Sequence, residues 1–191
     1  MTAVTLVLAG IAAYTLGVAL RPPPELAGTA LQNPPSMVDL VLVRGDGAEM
    51  RLGDALGGTT TLVFFGFMRC PDVCPFTMAR LATLYEDLGR PADLNVVMIT
   101  VDPEHDVPEL LQTYVSGFHE DFIAFSGSNA QIATAARAFF VGYAGIGTDT
   151  FTHTDVVAVL DRSGALRYVY SQQNLPRLPA DLPAILAQSG F

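Results

Sequence analysis

Thr60-Thr61-Leu62-Val63-Phe64-Phe65-Gly66-Phe67 runs directly into Met68-Arg69-Cys70-Pro71-Asp72-Val73-Cys74-Pro75. The first stretch is almost continuously apolar. Such a run is a strand buried on both faces, as in a sheet covered by helices. After it, apolar residues recur at Met78, Leu81, Leu84, Tyr85 and Leu88, which is helical spacing. Both cysteines therefore sit on a strand-to-helix turn. Open α/β sheets bind ligands there, beyond the carboxyl ends of their strands.

Working outward, the same alternation continues. Val38–Val43 reads as a strand, turned by Arg44-Gly45-Asp46-Gly47 into a second one near Met50. Leu94–Val101 is another buried strand, Val107–Phe118 a helix, Phe122–Phe125 a short strand and Gln131–Phe140 a helix. Val156–Leu160 and Leu166–Tyr170 are strands joined by the turn Asp161-Arg162-Ser163-Gly164, and Ala180–Gln188 closes the chain as a helix. Parallel βαβ units followed by an antiparallel hairpin and a final helix predict a thioredoxin-like α/β fold, a central mixed sheet flanked by helices.

The chain has 191 residues, enough for one domain and an appendage. Thr2–Leu20 carries no charge over 19 residues. As a helix it would reach roughly 28 Å, close to the hydrocarbon thickness of a bilayer. Residues 1–21 are thus expected to form an N-terminal transmembrane anchor. A cleaved signal peptide is the competing reading, but no base precedes the run and the run is long for a signal core. Residues 22–36, opened by Pro22-Pro23-Pro24, read as a linker or irregular arm, and 37–191 as the folded domain. The net charge is −9, and all 10 bases are arginine. Such a surface repels phosphate backbones, so nucleic acid is not an expected partner.

Two cysteines are too few for a disulfide scaffold. At the first turn of a helix, with Arg69 beside them, thiolate is favoured. Thiolate attacks disulfides and binds soft metals. The bland alternatives are a structural disulfide or two inert buried thiols. A disulfide closing so small a loop would remove little chain entropy.

Of the three histidines, His119 reads as a solvated helix-end residue and His105, among Asp102, Glu104 and Asp106, as a surface ion-pair partner. His153 precedes the strand expected beside the cysteine strand. There it is either a hydrogen-bonded, partly buried residue or the third donor of a two-sulfur, one-nitrogen site. That ligand set suits copper better than hard cations.

The run FFGFMRCPDVCP, the stretch from Val101 through Asp102 and Pro103 to Glu109, and Thr152-His153-Thr154 together resemble the Sco/SenC family over about residues 35–190. Its members are membrane-anchored, thioredoxin-fold proteins that help build the dinuclear copper centre of cytochrome c oxidase. The resemblance implies copper, Cu(I) or Cu(II), bound by Cys70, Cys74 and His153, with thiol–disulfide redox activity at the same cysteine pair. Asp72 lies within the matched motif and in the family is linked to redox and transfer behaviour. Asp102 opens the second matched stretch, and its plain reading is a cap for the helix near Val107. Family members often carry a histidine where this chain has Arg69. No proline precedes the strand after His153, unlike many thioredoxin-like oxidoreductases, which favours metal handling over general disulfide exchange.

Two functions follow. One is a copper chaperone that delivers copper to the copper-receiving subunit of cytochrome c oxidase, served by a copper donor and a thiol reductant. The other is a membrane-anchored thiol–disulfide oxidoreductase that reduces the cysteines of that subunit, with Cys70 attacking and Cys74 resolving. A metallochaperone is expected ahead of a turnover enzyme. Either places the domain in the periplasm or an equivalent extracytoplasmic space, held by the N-terminal helix.

Overall fold

Thr60–Gly66 forms a strand in which every residue is buried, at the centre of the protein. The computed structural model describes residues 25–144 and 152–188. Its strands, in chain order, are β1 (Thr29–Ala30), β2 (Val41–Arg44), β3 (Glu49–Arg51), β4 (Thr60–Gly66), β5 (Leu94–Thr100), β6 (Ile123–Ser126), β7 (Tyr143–Ala144), β8 (Thr152–His153), β9 (Val156–Leu160) and β10 (Leu166–Ser171). The helices are α1 (Leu52–Leu56), α2 (Val73–Asp87), α3 (Pro108–Ser116), α4 (Asn129–Ala138) and α5 (Leu178–Leu186).

The main sheet runs β1-β10-β9-β4-β5-β6-β2-β3. β4, β5 and β6 are parallel neighbours, and β9 lies antiparallel against β4 with Phe64 opposite Val157. This is the expected mixed α/β sheet with flanking helices. Leu62, Val63, Phe64, Val96, Val97 and Ile99 are buried in its middle. Both faces of these strands are covered, which is why they read as continuous apolar runs rather than as an alternation.

Local signals set the helix starts. Asp72 caps α2, its side chain accepting from the Val73 N–H, and Pro75 occupies the first turn, where no N–H is needed. Ser128 and Gln131 form a reciprocal capping box on α4.

Several elements differ from the sequence reading. The first long strand begins at Val41 rather than Val38, because Met37–Leu40 is spent in a turn and Val38 accepts a bond from the Gly53 N–H. α1 was not expected; it is a single turn closed by Gly57 at φ 60°. The Pro-rich arm is partly built into the sheet. Thr29 and Ala30 pair with β10, the Leu166 N–H donates to the Pro35 carbonyl, and the Ala27 N–H donates to Asp181 at 2.7 Å. The expected anchor, residues 1–21, lies outside the described residues. Among those described, no helix is long and apolar enough to cross a membrane.

Candidate metal centre

At the carboxyl end of β4 the chain turns through Met68–Asp72 into α2. Cys70 is half-buried and Cys74 fully buried, and both are free thiols. The Cys74 N–H donates to Cys70 Sγ at 3.3 Å, so the first sulfur sits on the amide end of the helix. Gly66 makes room for the second. A Cβ at Gly66 would stand 3.2 Å from Cys74 Sγ and 2.7 Å from Phe64 Cε1.

His153 comes from β8, which pairs with β7 just before β9 begins. This short antiparallel pairing, with Tyr143 opposite His153, has no signature in the sequence. The imidazole stands edge-on to Phe64 and Phe67, with ring centroids 6.2 and 5.9 Å away. Its Nδ1 lies 3.1 Å from the Thr154 carbonyl oxygen. A carbonyl only accepts, so Nδ1 carries the proton and Nε2 the lone pair. Nε2 lies 3.6 Å from Cys74 Sγ. Such a backbone contact is how ligating histidines are commonly oriented.

The electrostatics of Cys74 depart from expectation. In the sequence, the helix end and Arg69 favour thiolate at both cysteines. Instead burial pushes the Cys74 thiol well up, and the adjacent Cys70 adds to the shift. Arg69 is engaged by the acidic loop after β5. Its Nη2 donates to Asp102 Oδ2 at 2.8 Å and lies 3.0 Å from His105 Nδ1.

Asp102 is buried and binds both Arg69 and His105, the latter at 2.8 Å. Its reading as a cap for α3 is overturned, since the residue before that helix is Val107 and no side chain caps it. His105 is the ion-pair partner expected. Asp72 stays exposed on the lip of the site. His119 is not solvated: it is buried between Tyr85 and Phe122, with Nε2 3.0 Å from Glu86 Oε1. Sequence reasoning missed Asp106, which is fully buried and accepts from the Met68 N–H and from Thr100 Oγ1.

Cys70, Asp72, His153 and Asp155 line one cleft of about 220 Å³, closed on one side by Phe67, Pro71 and Val73. Among the described residues no three His, Cys, Asp or Glu side chains already stand at metal-ligand spacing. The donors nonetheless form a coherent set: two sulfurs from one turn and an imidazole whose lone pair faces the inner sulfur. Thiolate and imidazole suit soft and borderline metals, copper among them.

The SCO1/SenC family profile matches residues 30–184. A SCO2-like protein of Rickettsia prowazekii is 35% identical over 123 residues, 61% of this chain and 60% of the relative, so the match spans about three-fifths of that relative's length. The solution structure of apo Sco1 from Thermus thermophilus superposes with a TM-score of 0.73 at 37% identity, covering 85% of this chain and 98% of that one. The crystal structure of Arabidopsis thaliana ScoI with copper bound gives 0.69 at 28% identity, covering 76% and 95%.

Proposed function

The chain belongs to the SCO1/SenC family, and from that premise we propose that it is a copper-binding assembly protein whose cargo is held by Cys70, Cys74 and His153. One observation carries the reading: His153 Nε2, the nitrogen with the free lone pair, faces Cys74 Sγ at 3.6 Å. The two sulfurs supply soft donors. The Thr154 carbonyl and the two phenylalanine rings orient the imidazole, which supports its reading as a third donor. The recipient is the copper-receiving subunit of cytochrome c oxidase, and the domain works at the outer face of a membrane, anchored by residues 1–21. The apolar, uncharged run Thr2–Leu20 supports the anchor, and the acidic charge of −9 favours a protein partner over an anionic one.

The test is a titration of the reduced protein with Cu(II), read by sulfur-to-copper charge-transfer absorption, beside Cu(I) competition against a chelator. His153→Ala is expected to weaken copper binding more than tenfold while the dithiol still cycles between its two redox states. Unchanged copper affinity in that variant overturns the three-donor site.

A second reading rests on the unequal burial of the two thiols. In it Cys70, the accessible sulfur, attacks a partner disulfide and releases one partner thiolate. Cys74 then attacks Cys70 Sγ, freeing the second partner thiolate and leaving a Cys70–Cys74 disulfide. Two electrons pass to the partner, and an external dithiol reductant restores the pair. Full partner reduction by His153→Ala protein, with no charge-transfer band in the wild type, would favour this reading.

A further inference from the structure

Asp155 follows His153 by two positions, at the last residue before β9. It lines the same cleft as Cys70 and His153. Both of its carboxylate oxygens are buried, and among the described residues neither accepts a hydrogen bond. Burial raises the pKa of its carboxyl, with His153 and Gln172 acting against that, but the Gln172 amide nitrogen donates to Thr77 Oγ1 at 3.2 Å and completes no bond to Asp155. A buried polar group without a partner costs roughly 1–3 kcal/mol, and a charged one more. Here Asp155 lines the cleft together with two of the three donors, Cys70 and His153, and no structural bond accounts for its orphaned oxygens.

We propose that Asp155 is an oxygen donor to the copper held by Cys70, Cys74 and His153, and that it biases the site toward Cu(II). The inference rests on the copper reading above. Two sulfurs and one nitrogen satisfy soft Cu(I). Cu(II) takes tetragonal sets that include nitrogen and oxygen, and three donors leave such a set one short. A carboxylate supplies that donor. Its negative charge also stabilises the doubly charged ion more than the singly charged one.

The experiment measures Cu(I) and Cu(II) affinities and the one-electron potential of the copper-loaded protein, for the wild type, Asp155→Asn, Asp155→Glu and His153→Ala. Thermal melts confirm that each variant is folded. Asp155→Asn keeps the shape and removes the charge. It is expected to lower Cu(II) affinity about tenfold while Cu(I) affinity stays within about threefold. Tenfold in that ratio corresponds to a potential about 59 mV higher. The Cu(II) paramagnetic resonance spectrum should change with it, and Asp155→Glu should retain part of the Cu(II) preference. Unchanged Cu(II) affinity in Asp155→Asn overturns the proposal. So does an equal loss for both ions that leaves the potential in place. If His153→Ala changes neither affinity, the copper reading itself has failed, and that result is distinct from a failure of Asp155 alone. Should Asp155→Asn not fold, the potential and spectrum of Asp155→Glu decide, and wild-type values there overturn the assignment.

Discussion

Arg69 and Asp102 join the turn before Cys70 to the end of β5 through a bond of 2.8 Å. The carboxylate is buried and the guanidinium half-exposed, so the pair is a tether reaching from the rim inward. Arg69 thereby ties the cysteine loop to the end of β5.

The first prediction concerns this tether. Burial works against the Asp102 carboxylate, but the bonds from His105 and Arg69 outweigh it and hold its pKa below the usual range. A depressed carboxylate adds stability above its ordinary pKa of about 4, and that stability is lost as pH falls through the folded value. Asp102→Asn is expected to cost about 1–2 kcal/mol at neutral pH. Arg69→Ala should cost less, because its exposed end is screened by solvent. Urea melts across acidic pH should show the gap between wild type and Asp102→Asn closing as the carboxylate protonates. A gap that persists at low pH would mean the tether is not electrostatic.

Gly66 gives the second. An alanine methyl there would press on Phe64 and the Cys74 sulfur, at 2.7 and 3.2 Å. Both neighbours are buried and cannot swing away. Overpacking of this kind costs roughly 1–3 kcal/mol. Gly66→Ala should therefore lower the melting temperature and weaken copper binding together, while a surface substitution of similar destabilisation should leave binding alone.

Asp106 behaves in the opposite sense to Asp102. Burial pushes its pKa up, even though Thr100 and the Met68 N–H donate to it. Its other oxygen is buried and, among the described residues, unpartnered. A raised carboxylate pKa means that stability is greatest while the group is protonated and declines as pH rises from about 4 through the folded value. Asp106→Asn keeps an accepting oxygen and removes the charge. It should flatten this decline and match or exceed the wild type at pH 7, whereas Asp106→Ala loses both bonds and should cost about 2 kcal/mol. Denaturant melts at two pH values separate the outcomes.

The sequence exposed the parts of this protein whose signal is local. β4 could be read because its seven residues are all buried, and α2 because Met78, Leu81, Leu84 and Tyr85 repeat at helical spacing. His153 could be placed before β9, but not in its hairpin, since two-residue strands carry no periodicity. Depth was the larger loss. Helix-end arguments weigh charge along the chain, and the burial that raises Cys74 arises from packing against distant elements. The same holds for His119, whose cover is Tyr85 and Phe122, and for Asp155, whose orphaned oxygens leave no pattern in the sequence at all.

Tyr114 yields the last prediction. Its ring packs against Phe118 with centroids 5.2 Å apart, but its hydroxyl is buried and, among the described residues, without a partner. Burial, then the charges of Cys74, Cys70 and Asp106, push the phenol up to about 12. The group is thus neutral at working pH and gains nothing from its oxygen. Removing an unsatisfied buried hydroxyl while keeping the ring is close to neutral or stabilising. Tyr114→Phe should hold or raise the melting temperature. Tyr114→Ala, which empties the ring's volume, should cost about 3–5 kcal/mol. A loss above about 1 kcal/mol in Tyr114→Phe, the size of an ordinary hydrogen bond, would show that the hydroxyl is bonded in solution. Ultraviolet titration of Tyr114→Phe should lose one late tyrosine transition, near pH 12, while those of Tyr85 and Tyr170, which burial also raises, remain.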